Sequence, residues 1–292
     1  MGLIDGFEHI VREGEPLAPY TWLRLGGPAD YFAEPTAVDE LTELIRRFRE
    51  NDQPVRLLGG GSNLLIPDDG VRGLVIHLSA PAFGEITVNG QQITAGGGAK
   101  LSHLVSTSVR EGLAGLEELV GIPGTVGGAL HGNAGGHSGE IGQWTRGATV
   151  VTRTGEVITR GQDDLHFAYR QSSLDELVIL NAQFELEEED PKQLNLRLQK
   201  RWIVKKAGQP ASDQNCGCIF KDSGGMNPSD LIDQAGLKGT SLGEAAVSDR
   251  DANFIVVGAD ATTKDVTRLI ELIKAQVSER VGVELESQIE VW

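Results

Sequence analysis

Apolar residues along this chain recur with two spacings, one helical and one extended, and the places where the spacing changes divide the sequence into elements. Val38, Leu41, Leu44, Ile45 and Phe48 share one helical face, which predicts a helix over 37–49 with Thr36 as its N-cap after Pro35. Strands from Pro54 to Leu58 and from Gly73 to Leu78 follow, so the first section reads as a small βαββ module. Gly84 to Ala95 predicts a hairpin turning at Asn89-Gly90, a pair that tolerates positive φ at both central positions. Leu101, Leu104, Val105 and Val109 then make a short apolar-faced helix that Gly112 stops.

Further strands are expected at Ala148 to Arg153, Val157 to Thr159 and Leu177 to Leu186, with a turn at Thr154-Gly155. The run Glu187-Glu188-Glu189-Asp190-Pro191 reads as a solvated link into a helix over 192–206. Helices are expected around 228–235 and 264–281, with Phe254 to Val257 a buried strand between them. In the last helix Val266, Leu269, Ile270, Ile273 and Val277 form the buried stripe, Thr262 and Asp265 a capping box, and Gly282 the stop. If Cys216 to Phe220 is a strand, both cysteine sulfurs lie on one face. With no internal repeat or low-complexity stretch, the pattern is that of an α+β protein.

Composition narrows the function classes. A chain of 292 residues, 39% hydrophobic and 23% charged, has room for two or three globular units and the balance of a folded enzyme. No stretch approaches the roughly 20 apolar residues of a membrane helix, and the N-terminal residues lack a basic and then apolar leader. A cytoplasmic protein is expected. A formal net charge of -16 argues against nucleic acid or anionic lipid as partners, because both call for clustered Lys and Arg. A phosphate-bearing ligand would depend on local donors, namely loop N–H groups and placed cations such as Arg24, Lys205, Lys206 or Lys221. Cys216 and Cys218 are too close for an unstrained disulfide and too few for a zinc site, which fits a reducing compartment and no metal. No obligate protein partner is legible.

The chemistry concentrates in two glycine-rich loops, Gly59-Gly60-Gly61-Ser62-Asn63 and the run from Gly121-Ile122-Pro123-Gly124-Thr125-Val126-Gly127-Gly128 to Asn133-Ala134-Gly135-Gly136. Backbone without Cβ atoms can turn successive N–H groups toward one point, which is how a chain grips a pyrophosphate. The first loop is not a Rossmann fingerprint, since Leu64-Leu65-Ile66-Pro67 follows it where that motif opens a helix. Lys100 after Gly96-Gly97-Gly98-Ala99 lacks Walker spacing, which disfavours a P-loop ATPase. The loops read as a dinucleotide clamp.

These loops stand in order with Thr21-Trp22-Leu23-Arg24-Leu25-Gly26-Gly27, Phe167-Ala168-Tyr169-Arg170-Gln171-Ser172, Gly217-Cys218-Ile219-Phe220-Lys221 and Ala252-Asn253-Phe254-Ile255-Val256. From about residue 20 onward the chain resembles the UDP-N-acetylenolpyruvoylglucosamine reductase family of peptidoglycan synthesis, in its shorter form. The resemblance implies an α+β architecture with an FAD-binding fold of the vanillyl-alcohol-oxidase (PCMH) type. Two N-terminal α/β domains, residues 1–80 and 81–206, would hold FAD, and a C-terminal α+β domain over 207–292 would bind a UDP-sugar substrate. The implied activity is NADPH-dependent reduction of the enolpyruvyl ether of UDP-N-acetylglucosamine enolpyruvate, with a protein group protonating the resulting carbanion.

Carried over residue by residue, the resemblance assigns FAD to Arg24, to Gly59, Gly60, Gly61, Ser62 and Asn63, and to Pro123, Gly124, Thr125, Gly127 and Gly128, with Asn133, Ala134 and Gly135 lining the isoalloxazine. Tyr169, Lys221 and Asp222 would touch substrate, and Arg170 would meet its carboxylate and the charge that develops on reduction. Cys218 stands where the family carries a proton-donating serine, and a thiol with a reference pKa of about 8.5 is a stronger acid than an alcohol. Gln288 stands where the family carries a glutamate; an amide cannot exchange a proton near neutral pH, while Glu286 and Glu290 share its strand face. Asp222 replaces a common asparagine. His131 and His137 flank the second loop, and no histidine is assigned catalysis. Two alternatives use the same motifs: another flavin oxidase or dehydrogenase of the superfamily, and a flavin- or nucleotide-binding homologue weakened by the amide at 288.

Overall fold

A computed structural model describes residues 2–136, 139–210 and 215–292, so His137 lies outside the described residues. The chain forms two compact units, one of residues 1–14, 30–60 and 72–204, the other of 15–29, 61–71 and 205–292.

The first unit is built on two sheets. In the first sheet, β1 (Val11–Pro16), β2 (Pro28–Ala33), β3 (Val55–Leu58) and β4 (Val71–His77) take the order β1-β2-β4-β3, with β3 and β4 parallel. Helix α1 (Val38–Glu50) crosses between β2 and β3 and buries Leu41, Leu44, Ile45 and Phe48, as the periodicity requires. Its N-cap is Ala37, not Thr36: the Thr36 N–H and hydroxyl both donate to the Glu40 carboxylate, at 2.7 and 2.8 Å. These two donors hold the Glu40 carboxyl below its ordinary pKa.

The second sheet of this unit contains β5 (Ile86–Asn89), β6 (Gln92–Gly96), β7 (Thr145–Val151), β8 (Val157–Gly161) and β9 (Val178–Glu185), ordered β8-β7-β9-β6-β5 and antiparallel throughout. Asn89 pairs with Gln92, so the hairpin turns on Gly90 and Gln91, and only Gly90 has a positive φ, +59°. The expected turn at Asn89-Gly90 with two positive φ values is thus displaced by one residue, because a single glycine at the first central position suffices. Helices α2 (Leu101–Arg110) and α3 (Val126–His131) pack on this sheet through Leu101, Leu104, Val105, Val126, Ala129 and Leu130. Helix α4 (Pro191–Gly208) follows, with Leu194 buried.

The second unit has a four-stranded sheet, β10 (Asn215–Gly217), β11 (Ser241–Leu242), β12 (Ala245–Val247) and β13 (Phe254–Val257), ordered β10-β13-β12-β11. Helices α5 (Pro228–Gln234) and α6 (Thr263–Val281) share its core through Leu231, Ile232, Val266, Leu269, Ile270, Ile273 and Val277. The α6 capping box forms as expected: Thr262 and Asp265 exchange side-chain and backbone bonds at 3.1 Å, and Gly282 ends the helix at φ +75°. Leu64–Leu65 pairs in parallel with Glu290–Val291, which ties the end of the first glycine loop to the C-terminus.

Candidate functional site

In the first unit the two glycine loops meet backbone to backbone. A Cβ built on Gly60 would lie 2.5 Å from the Gly124 Cα, so only glycine permits this approach. Gly127 donates its N–H to the Gly97 carbonyl at 2.8 Å and Gly128 donates to the Thr125 hydroxyl at 3.3 Å, which caps α3. The N–H groups of Gly124 and Thr125, and along the other loop those of Gly59, Gly60, Gly61, Ser62 and Asn63, have no acceptor among the described residues. Within the first unit, the open N–H groups of Gly59, Gly60, Gly124 and Thr125 are donors suited to an anionic ligand. The donor set fits the pyrophosphate of a dinucleotide.

The segment 133–135 is arranged differently. Asn133 is fully buried, and its amide is used inside the protein: Nδ2 donates to Glu140 at 2.7 Å and to the Ala168 carbonyl at 2.9 Å, while Oδ1 accepts from the Gly142 N–H at 3.1 Å. The N–H of Asn133 donates to Leu130 and that of Ala134 to Ala129. Gly135 lies in a short hairpin, and a Cβ there would fall 2.4 Å from the Gly139 carbonyl oxygen. The close approach that demands glycine here is therefore to the protein's own backbone.

Tyr169 and Arg170 form the tip of a second hairpin, in which Phe167–Ala168 pairs with Gln171–Ser172. The Arg170 guanidinium lies 5.4 Å from the centroid of the Tyr169 ring, and its Nη1 donates to the Gly135 carbonyl at 3.1 Å. Its Nε is buried with no partner among the described residues. A buried guanidinium nitrogen left open is suited to receive a carboxylate.

In the second unit, Ser62 and Asn63 are tied to the other sequence-selected residues. The Cys216 thiol donates to the Ser62 carbonyl at 3.3 Å, and the Asn63 amide donates to the Gln288 carbonyl at 3.0 Å. Gln288 in turn donates its N–H to the Ile219 carbonyl at 2.7 Å, which sets it beside the residue that follows Cys218. Cys218 does not continue the strand. β10 ends at Gly217 and Cys218 takes φ +56°, so the expected alternation that would put both sulfurs on one face is broken. Cys216 is 2% exposed, and burial, with Cys218 nearby, pushes its thiol up to about 12. The C-terminal segment is held in one register by Lys221 N–H to the Glu286 carbonyl at 2.9 Å and by Lys221 Nζ to the Glu286 carboxylate at 2.5 Å. In this register Glu286 is engaged by Lys221 and Glu290 lies beside Leu64. Arg24 is exposed, with its Nη1 on the Pro19 carbonyl at 2.5 Å.

Two residues that the sequence left without a role shape these surroundings. Asn253 is buried and clamps the stretch after Cys218, donating to the Phe220 carbonyl at 3.0 Å and accepting from the Phe220 N–H at 2.9 Å. Glu140 receives the Asn133 amide. A polar residue set directly before the apolar run Phe254 to Val257 was the available signal for Asn253; nothing local marked Glu140.

Five residues other than glycine have positive φ among the described residues: Arg24 at +57°, Asp52 at +54°, Asn133 at +42°, Arg170 at +56° and Cys218 at +56°. Left-handed backbone costs an ordinary residue about 1–2 kcal/mol, and such strain gathers at functional sites. Four of the five are positions that the sequence singled out.

Residues 29–161 match the family described as FAD binding domain. Phl p 4.0202, a glucose dehydrogenase, shares the fold at a TM-score of 0.53 and 16% identity, over 98% of this chain and 60% of that one. The family match and the fold define an FAD-binding protein with the α+β fold of the vanillyl-alcohol-oxidase type. Residues 209–292 match the family described as UDP-N-acetylenolpyruvoylglucosamine reductase, C-terminal domain. The UDP-N-acetylenolpyruvoylglucosamine reductase of Rhodopirellula baltica is 37% identical over 97% of this chain and 93% of its own. The crystal structure of the Thermus caldophilus enzyme superposes with a TM-score of 0.81 at 34% identity, over 97% of this chain and 98% of that one. This chain belongs to the UDP-N-acetylenolpyruvoylglucosamine reductase family. Among the described residues no helix is long and apolar enough to cross a membrane, and no group of three or more His, Cys, Asp or Glu could hold a metal ion.

Proposed function

We propose that the chain takes electrons from NADPH and reduces the enolpyruvyl ether of UDP-N-acetylglucosamine enolpyruvate to UDP-N-acetylmuramate, in the cytoplasm. The observation that supports this most directly is the set of N–H groups at 59, 60, 124 and 125 of the first unit that have no acceptor among the described residues. These groups would hold the FAD pyrophosphate, and Arg24 would add a cation. Bound FAD supplies two-electron transfer, which no side chain performs.

The remaining steps belong to side chains. Arg170 pairs its open Nε with the substrate carboxylate and stabilises the negative charge that grows beside it. Tyr169, Lys221 and Asp222 bind the UDP-sugar, with Lys221 exchanging Glu286 for substrate oxygen. Cys218 protonates the carbanion: its S–H bond breaks as a C–H bond forms, and the thiolate regains a proton from water. Gln288 orients the enol by hydrogen bonding and donates no proton. Residues 1–80 and 81–206 serve FAD, and 207–292 serve the substrate.

Anaerobic mixing tests the proposal. NADPH should bleach the flavin, and UDP-N-acetylglucosamine enolpyruvate should restore its colour. Cys218→Ala should keep the first step and slow the second by about 10²-fold or more, the usual worth of a general acid. Flavin that oxygen reoxidises rapidly while the enol ether does not would mark an oxidase, and unchanged reoxidation by the enol ether in Cys218→Ala would remove the thiol from the mechanism.

A further inference from the structure

Asn133 is bonded to the chain segments that carry Arg170 and its acceptor. Its side chain is 0% exposed, and its φ of +42° puts it in a conformation that asparagine tolerates better than most residues. Both amide hydrogens and the carbonyl oxygen are spent on three separate pieces of chain: the Glu140 carboxylate, the Ala168 carbonyl and the Gly142 N–H.

Two of those pieces control Arg170. Ala168 pairs with Gln171 at the base of the hairpin whose two-residue tip is Tyr169-Arg170, so the bond from Asn133 anchors that tip. Glu140 pairs with Gly135 in the neighbouring hairpin, and the Gly135 carbonyl accepts Arg170 Nη1. One amide thus fixes the backbone that carries the guanidinium and the strand that carries its acceptor. Aspartate lacks the two donors, glutamine is a methylene too long, and an apolar residue would leave the Ala168 carbonyl without this donor.

We infer that Asn133 is a positioning residue for Arg170: its buried amide sets the guanidinium where the substrate carboxylate arrives. The inference rests on the assignment of Arg170 to that carboxylate. A guanidinium moved by about 1 Å costs about 10²-fold in the step it serves.

The decisive variant is the exchange Asn133→Asp with Glu140→Gln in the FAD-loaded enzyme. The amide donor now comes from position 140 and the acceptor from 133, the pair keeps one negative charge, and the Gly142 N–H keeps an oxygen; the donor to the Ala168 carbonyl is replaced by a carboxylate oxygen that repels it. Per bound flavin, reduction by NADPH should stay within about twofold of the parent, while kcat/KM for the enol ether falls about 10²-fold with KM raised. Glu140→Gln alone retains an acceptor for Asn133 and leaves the bond to Ala168, so its KM should stay within about twofold of the parent even if its melting temperature drops. A parental KM in the exchange variant, or a KM in Glu140→Gln raised as far as in the exchange variant, overturns the inference. Arg170→Ala separates the two levels: if it leaves kcat/KM for the enol ether near the parent, the role given to Arg170 fails first, whereas a large loss there with a parental exchange variant fails Asn133 alone.

Discussion

The loops at 59–63 and 124–125 and the segment 133–135 are written in the same residues, glycine with Ser, Thr, Asn or Ala, yet the fold uses them in opposite ways. At the first pair of loops the backbones touch and their N–H groups stay open. At 133–135 the N–H groups of Asn133 and Ala134, all of the Asn133 amide and the Gly135 carbonyl are engaged within the protein. Glycine density reports only that something approaches the backbone closely. Whether that something is protein or ligand is decided by following each donor to its acceptor.

The largest effect expected from this contrast is at Gly60. Gly60→Ala would place a methyl group 2.5 Å from the Gly124 Cα, where backbone and not a flexible side chain has to move. Separating the loops costs one or two charge-assisted hydrogen bonds at about 1.5–3 kcal/mol each, so FAD affinity should fall by about 10- to 10⁴-fold. Flavin absorbance after gel filtration and titration of the apoprotein measure this. An alanine variant that keeps FAD as the parent does would show that the open N–H groups are not the pyrophosphate cradle.

Gly135→Ala should act on the other side of the contrast. Its methyl group would meet the Gly139 oxygen at 2.4 Å and the Glu140 Cα at 2.5 Å, an overpacking that costs about 1–3 kcal/mol. At about 2–4 °C per kcal/mol for a chain of this size or slightly smaller, the melting temperature should fall by several degrees. The folded fraction should retain its flavin. Loss of flavin at an unchanged melting temperature would instead put Gly135 among the ligand-facing positions.

Much of this was legible in the sequence where one local cause dominated. The α6 stripe and capping box, the α1 face and the buried strand Phe254–Val257 depend on neighbours a few residues away, and they form as the spacing predicts. The resemblance also collected the residues of both loops and the hairpin tip. What stayed hidden depended on distant partners. Thr36 lost the N-cap position because Glu40 took both of its donors. Cys218 left the strand because the stretch after it is claimed on two sides, by Asn253 and by the C-terminal residues 286–288. The internal use of the Asn133 amide could not be read at all, since Glu140 and Ala168 lie 7 and 35 positions away.

Thr125 stands on the border between the two behaviours and so gives the smallest but sharpest test. Its N–H is open, whereas its hydroxyl is spent on the Gly128 N–H at 3.3 Å as the cap of α3. Removing a capping hydroxyl costs about 1 kcal/mol, so Thr125→Ala should lower the melting temperature by about 2–4 °C, and Thr125→Ser, which keeps the hydroxyl, should not. FAD affinity should change less than tenfold in either variant, because the backbone donor that faces the ligand survives both substitutions. If Thr125→Ala instead sheds FAD as completely as Gly60→Ala, the hydroxyl and not the N–H meets the phosphate, and the line between open and engaged donors has to be redrawn through this residue.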